Sequence, residues 1–356
     1  MTELLGFLTE SLVCGWYVRH VQATDATTAY TIPIQRVQAF VGIALSRGWD
    51  IEAMLSQAEI SADLLSEGRS RVTTQQLSAL IRQLWRVTDD ELLGFGLQPV
   101  PRGTFRLLCL TVLTATNLHT AIQRFDDFGR AAPGIPPLRA EVENDQARVS
   151  IDIAEIEQPI DLLVDMLLAV THRFLAWAIG RRIPLRLVEV PYAKPAHVDD
   201  YDLLFGAPVA FSTGGCALVF DAEVLAAPIV RDEAALNEFV RDAPAGVLTR
   251  RNYATSVASK VRKLLAGGLF GEWLTVDEIA GELAMSPQTL RRKLRDEDTS
   301  AREIKEEILR DAAIASLARG DETVAALSRR LGFSEPSAFS RAFRRWTGSP
   351  PGSYQH

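Results

Sequence analysis

The sequence predicts an α+β domain, with helices beside a largely antiparallel sheet, joined to an all-α C-terminal domain that carries two helix-turn-helix units. Three observations carry this expectation. Between residues 34 and 129 apolar side chains recur at helical spacing. Between residues 138 and 220 short stretches alternate apolar and polar residues with period two. From residue 275 onward, two stretches separated by about fifty residues repeat one plan of cap, buried stripe, tight turn and basic helix.

A chain of 356 residues is too long for one typical core and points to two or three domains, and 47% hydrophobic residues are enough to bury them. Residues 1–30 form an N-terminal segment of unknown role. The stretch TDATTAYTIP is polar and ends in Pro33, so the first domain is placed at 31–241. Within it, one helix is capped by Thr73 or Thr74 ahead of Leu77, Leu80, Ile81 and Leu84. Residues 105–116 and 118–129 read as two more helices, the second burying Ala121, Ile122, Phe125 and Phe128.

Residues 138–143 and 147–153 then read as strands around Asn144-Asp145, a hairpin signal. Residues 159–180 form a long helix that is apolar on most of its circumference, so it should run under the sheet. Residues 185–190, 209–211 and 217–220 complete the strands. The stretch 242–255, with Pro244 and Gly246, is the expected linker to a second domain at 256–356.

In that second domain, Thr275 and Glu278 have the spacing of a capping box, and Val276, Ile279 and Leu283 recur at helical spacing beside the small Ala280. Ser286-Pro287 then signals a new helix only three residues later, which requires a tight turn. The second unit repeats the scheme with Thr323 as cap, Val324, Leu327 and Leu331 as the stripe, Gly332 as the left-handed stop and Ser334 as the next cap. Phe339 and Phe343 face inward at i,i+4 and leave Arg341, Arg344 and Arg345 outside. Between the units, 301–319 lacks Pro and Gly and presents Ile304, Ile308, Ala312, Ala315 and Leu317 for burial. Such a helix spans roughly 27 Å and could hold two reading helices about one DNA turn apart.

The net charge of −7 argues at first against a nucleic-acid partner. Charge is segregated, however: from Arg251 onward there are 17 Lys and Arg against 14 Asp and Glu, while the first 250 residues carry 21 against 31. The basic residues cluster on the two presumptive reading helices, where phosphate and base contacts need them.

Cys14, Cys109 and Cys216 are far apart and odd in number, which gives neither a disulfide framework nor a metal spacing and fits a reducing cytoplasm. Residues 1–18 contain no Lys or Arg, so neither a signal peptide nor a lipoprotein leader ending at Cys14 is expected. No apolar run reaches the length of a membrane span. No metal, cofactor or catalytic motif is found, and His20, His119, His172, His197 and His356 have no partner at metal-ligand spacing. Asp161, Asp165 and His172 do share one face of their helix and could be acid-base groups, but a polar edge on a buried helix is the favoured reading.

The run LGFSEPSAFSRAFRRWTGSPPGSY, with MSPQTLRRKL before it, resembles the DNA-binding domain of the AraC family of bacterial transcription regulators. The sequence departs from that family's pattern at Ser328, usually Ala, at Ala338, commonly aromatic, and at Gln355, usually Arg. The stretch PAHVDDYDLLFGAPVAFSTGGCALVFDAEVLAAPI resembles the family's arabinose-binding type of N-terminal effector domain. The resemblance implies a transcriptional regulator, more often an activator, that is not an enzyme.

It further implies base contacts from Gln288, Arg291 and Arg292 in the first reading helix and from Pro336, Ser337 and Arg341 in the second. Lys293, Ser334, Arg344 and Arg345 are placed for phosphates. The partners it implies are double-stranded promoter DNA, RNA polymerase, a small-molecule effector and a second copy of the chain in a homodimer, with no membrane. Met166, Phe174 and Trp177 on the long apolar helix are the candidate ligand-lining residues. The alternative reading keeps DNA binding but makes the N-terminal domain a dimerisation or protein-docking module without a ligand.

Overall fold

A computed structural model describes residues 30–96, 98–132, 134–154, 156, 161–195, 198, 201–241 and 256–355. The expectations for residues 1–29, for the linker 242–255, for the first two residues of the helix at 159–180, and for Cys14, His20, His197 and His356 lie outside these residues. Chain packing divides into two units, one built on 257–342 and one on 31–256 together with 343–356.

In the larger unit, β1 (Thr31–Pro33) pairs antiparallel with β2 (Arg71–Thr73), with Ile32 opposite Val72. Between them run α1 (Ile34–Ser46) and α2 (Ile51–Gln57). Thr73, rather than Thr74, opens α3 (Thr74–Thr88). Its hydroxyl accepts the Gln76 N–H at 3.1 Å while the Gln76 side chain accepts the Thr73 N–H at 2.9 Å, a complete capping box. Next come α4 (Thr104–Leu113) and α5 (Leu118–Ala131), the latter capped by Asn117.

The sheet follows in the order β3-β4-β7-β5-β6, and every pairing is antiparallel except that of β5 with β6. Its strands are β3 (Leu138–Glu143), β4 (Gln146–Ile151), β5 (Leu185–Glu189), β6 (Val209–Ala210) and β7 (Cys216–Asp221). Asn144 and Asp145 turn the β3–β4 hairpin with φ of 47° and 66°, the left-handed pair that a two-residue turn of matching twist requires.

Alternation places Ala147, Val149 and Ile151 of β4, and Leu218 and Phe220 of β7, in one core with Ile122 and Phe125 of α5. Val164 and Leu168 of α6 (Asp161–Ala178) join the same core, and α6 packs against β7 while α5 packs against β3. On the other face of the sheet Arg148 reaches Glu189 at 2.7 Å, across β7. A one-turn helix, α7 (Tyr201–Phe205), precedes β6, and α8 (Glu233–Arg241) packs on α4. In this unit Tyr354 stands edge-on to Phe343 at 5.2 Å, and its hydroxyl accepts the Arg71 N–H at 3.2 Å.

The smaller unit begins with α9 (Val257–Ala266), followed by α10 (Val276–Glu282), α11 (Pro287–Asp296), α12 (Ala301–Arg319), α13 (Val324–Arg330) and α14 (Pro336–Thr347), whose last turn counts with the larger unit. Thr275 forms a complete capping box with Glu278, Ser286 caps α11 with Pro287 at its first position, and Thr323 caps α13. Along α12 the five side chains expected inside, Ile304, Ile308, Ala312, Ala315 and Leu317, are all buried. Helix α9 packs along α12, and Arg262 pairs with Glu307 between them. Helices α8 and α9 escape the sequence reading, because both are short and flank the Pro- and Gly-containing 242–255.

Candidate nucleic-acid interface

Each helix-turn-helix turn depends on one left-handed residue. In the second unit it is Gly332, with φ of 82°, as expected. In the first it is Ala284, with φ of 52°, a conformation that disfavours a Cβ. The second turn is also one residue longer, since α11 starts three residues after Ala284 and α14 four residues after Gly332. This corrects the expected cap: Glu335, not Ser334, immediately precedes α14, and its carbonyl accepts the Phe339 N–H at 3.2 Å.

Two buried residues at i,i+4 seat each reading helix, Leu290 and Leu294 in α11, Phe339 and Phe343 in α14. Phe339 packs edge-on against Phe333 at 5.5 Å. At about 100° per residue, Gln288, Arg292 and Arg295 then fall on the face of α11 turned away from Leu290 and Leu294, Arg291 lies on its flank, and all four are exposed. Lys293 is exposed beside them.

Matching the two buried pairs puts Ser337 at the place of Gln288, Ser340 at that of Arg291, Arg341 at that of Arg292 and Arg344 at that of Arg295. Pro336 takes the place of Pro287, at the first position of the helix. Ser334, Pro336, Ser337, Arg341, Arg344 and Arg345 are all exposed. Sequence reading counts Arg295 in the basic run 291–295 without assigning it a contact and passes over Ser340, although the i,i+4 pattern of Leu290/Leu294 and Phe339/Phe343 places both. The Ser340 hydroxyl donates to the Pro336 carbonyl of its own helix at 2.9 Å, and the Ser337 hydroxyl donates to Glu335 at 3.1 Å.

The charges are sorted as well as placed. Arg262, Arg302, Arg310, Arg319 and Arg330 are neutralised by Glu307, Glu306, Asp311, Asp321 and Glu322. Among the described residues no such carboxylate pairs with Arg291, Arg292, Lys293, Arg295, Arg341 or Arg344. The reading helices therefore keep positive charge that the scaffold does not satisfy, on side chains long enough to reach base edges or phosphates.

On α6 the three ligand-lining candidates separate. Phe174 is fully buried in an aromatic stack with Trp177 at 5.8 Å, Phe239 at 6.1 Å and Phe105 at 5.7 Å, so it is core. Trp177 is half-buried, lies 4.8 Å from Phe239 and carries the Arg231 guanidinium over its ring. Met166, also half-buried, lies three turns before Trp177.

The polar face of α6 does not assemble acid-base groups. Asp165 is buried and binds Arg36 of α1 at 2.7 Å, while its other oxygen accepts the Tyr192 hydroxyl. Burial raises the Asp161 carboxyl, with the Arg36 charge opposing. His172 donates its Nε2–H to the Ile183 carbonyl at 2.8 Å, and burial pushes its imidazole down to about 4. The fold thus holds the neutral ring, and unfolding takes up a proton below about pH 6.5. Stability from this group is complete above pH 6.5 and falls as the pH drops toward 4. Urea unfolding at pH 5 should show about 2 kcal/mol less stability than at pH 7, and His172→Gln should remove that part of the difference. An unchanged pH dependence in His172→Gln would assign the loss to other groups.

Among the described residues no cluster of three His, Cys, Asp or Glu could hold a metal ion, and no helix is long and apolar enough to cross a membrane. Residues 48–229 match the family profile of the arabinose-binding domain of AraC transcription regulators, and residues 279–356 match a helix-turn-helix domain. The chain is 22% identical over 330 residues to the ornithine utilization regulator of Pseudomonas aeruginosa, covering 92% of this chain and 97% of that one. It is 42% identical over 105 residues to an HTH-type transcriptional regulator, Mb1430, of Mycobacterium bovis, a likeness that spans 30% of this chain and 29% of that one. The crystal structure of the regulator CdpR from Pseudomonas aeruginosa aligns over 77% of this chain and 86% of that one at 22% identity, with a TM-score of 0.28.

Proposed function

The chain belongs to the AraC family of transcriptional regulators, and we propose that a small molecule bound to its N-terminal domain sets the state of two reading helices that read promoter DNA. The observation that carries the DNA half is that Arg291, Arg292, Lys293 and Arg295 of α11 and Arg341 and Arg344 of α14 have no carboxylate partner among the described residues, while arginines elsewhere in the same domain are paired within the chain. In this reading Gln288, Arg291 and Arg292 contact bases, as do Pro336, Ser337 and Arg341, while Lys293, Ser334, Arg344 and Arg345 contact phosphates. Activation through RNA polymerase, and action as a homodimer, complete the proposal.

For the effector half, Trp177 and Met166 are, of the three candidates on α6, the two with surface to offer a ligand, Phe174 being fully buried. The full chain should gain several degrees in melting temperature with its effector at about 100 times Kd, and its affinity for promoter DNA should change in the same titration. Ornithine heads the compounds to be tested, since the Pseudomonas relative is named for its utilization. If no metabolite shifts the melting curve while DNA binding is intact, the N-terminal domain is a docking or dimerisation module instead.

A further inference from the structure

Helix α11 has ten residues and two buried anchors, Leu290 and Leu294, so something must hold its far end. That end is tied by a carboxylate. Glu297, the residue that closes α11, accepts the Val257 N–H at 2.9 Å with one oxygen and the Ala258 N–H at 2.7 Å with the other. These are the first two helical residues of α9, whose N–H groups have no acceptor within their own helix. A carboxylate at a helix N-terminus is favoured by both the exposed donors and the helix dipole.

The donor and acceptor ends are both rigid. The Glu297 N–H is bonded to the carbonyls of Lys293 and Leu294, and the Thr299 N–H returns to the Leu294 carbonyl at 2.9 Å, which fixes the backbone that carries the carboxylate. Helix α9 is itself fixed to α12 by the Arg262–Glu307 pair and by buried Val261 and Leu265. Glu297 thus closes a path from the strut α12 through α9 to the C-terminal end of α11, within about two turns of Arg291, Arg292 and Arg295.

We propose that Glu297 is a positioning residue for DNA reading, clamping the end of α11 to the first turn of α9 so that the arginines of α11 meet base edges in one fixed orientation. The inference rests on the proposed reading of bases by α11. Two-point contacts between a guanidinium and a base tolerate only small displacements, so a helix end free to pivot loses discrimination before it loses affinity. Charge alone predicts the opposite sign: removing a carboxylate near DNA should tighten binding to every sequence.

The test uses the full chain and duplexes that the wild type selects from random DNA, then randomised one position at a time. Glu297→Gln keeps the size of the side chain but sets an amide NH2 against an N–H donor. Val257→Pro cuts the contact from the other side, removing one donor at the first helical position, where proline is well tolerated and the charge of Glu297 is kept. Both should lower base preference roughly fivefold at the positions where Arg291→Ala also lowers it, leaving other positions and the salt slope unchanged. Val257→Pro loses one hydrogen bond while its fixed φ suits the first helical position, so both variants should stay folded at the assay temperature with binding to random DNA intact, which separates positioning from general destabilisation.

The inference is overturned if Arg291→Ala lowers discrimination while Glu297→Gln and Val257→Pro do not. It is equally overturned if Glu297→Gln tightens binding uniformly and Val257→Pro has no effect. If none of the three variants, Arg291→Ala included, changes the preference at any position, base reading by α11 fails and takes positioning with it.

Discussion

Arg291→Ala is expected to weaken binding to the selected duplex by between roughly fivefold and a hundredfold while leaving binding to random DNA nearly unchanged. Arg291 lies on the flank of α11, beside its buried leucines but exposed and without an internal carboxylate, so its five donors are available for a two-point contact with a base. The corresponding place on α14 holds Ser340, whose short hydroxyl is already bonded to its own helix. The first reading helix should therefore carry most of the discrimination.

Arg344→Ala should behave differently, weakening selected and random duplexes alike and lowering the slope of log affinity against log salt by about 0.9. Competition binding at several salt concentrations measures both quantities. Equal losses of specificity from Arg291→Ala and Ser337→Ala would show that the two helices share the reading.

Asp165→Ala should cost about 3–5 kcal/mol of stability. The Arg36 and Asp165 side chains are 8% and 1% exposed, so the pair is shielded from solvent and removal of the carboxylate takes a close negative partner from a buried guanidinium. The same substitution removes the acceptor of the Tyr192 hydroxyl, which is in turn approached by the Tyr201 hydroxyl at 3.3 Å. Arg36 also lies over the Tyr201 ring at 5.8 Å, so one carboxylate organises three other side chains, Arg36, Tyr192 and Tyr201. Because a buried pair adds little over apolar residues of similar size, Arg36→Met with Asp165→Leu should recover most of the loss. Urea unfolding of the single and double variants checks this, and a loss below about 1 kcal/mol for Asp165→Ala would contradict it.

What could be read in the sequence was local. The capping boxes at Thr73 and Thr275 each need only a hydroxyl and a side-chain acceptor three residues apart, and both form. The strut appears at 301–319, as its uninterrupted apolar spacing demands, and Asn144-Asp145 turns the hairpin. Ala284 was opaque because a left-handed residue with a Cβ is held by the helix crossing around it, not by its own preference.

The role of Asp165 was opaque for a different reason. Its polar face on α6 was visible, but Arg36 lies 129 residues away and no spacing rule joins them. The same holds for Glu297, which meets Val257 across 40 residues. On the second reading helix the buried pair Phe339/Phe343 was legible and the exposed Arg341, Arg344 and Arg345 followed from it. The extra residue in the second turn was not anticipated, which is why the cap was expected at Ser334.

The central claim, that α11 and α14 read two stretches of one duplex face across the strut α12, is tested most directly by guanine-methylation interference on a selected duplex bound to the full chain. Two clusters of interfering bases about one helical turn apart, on the same face, are predicted, with the stronger interference in the cluster that Arg291→Ala abolishes. A single cluster, or binding indifferent to methylation throughout the site, would contradict it.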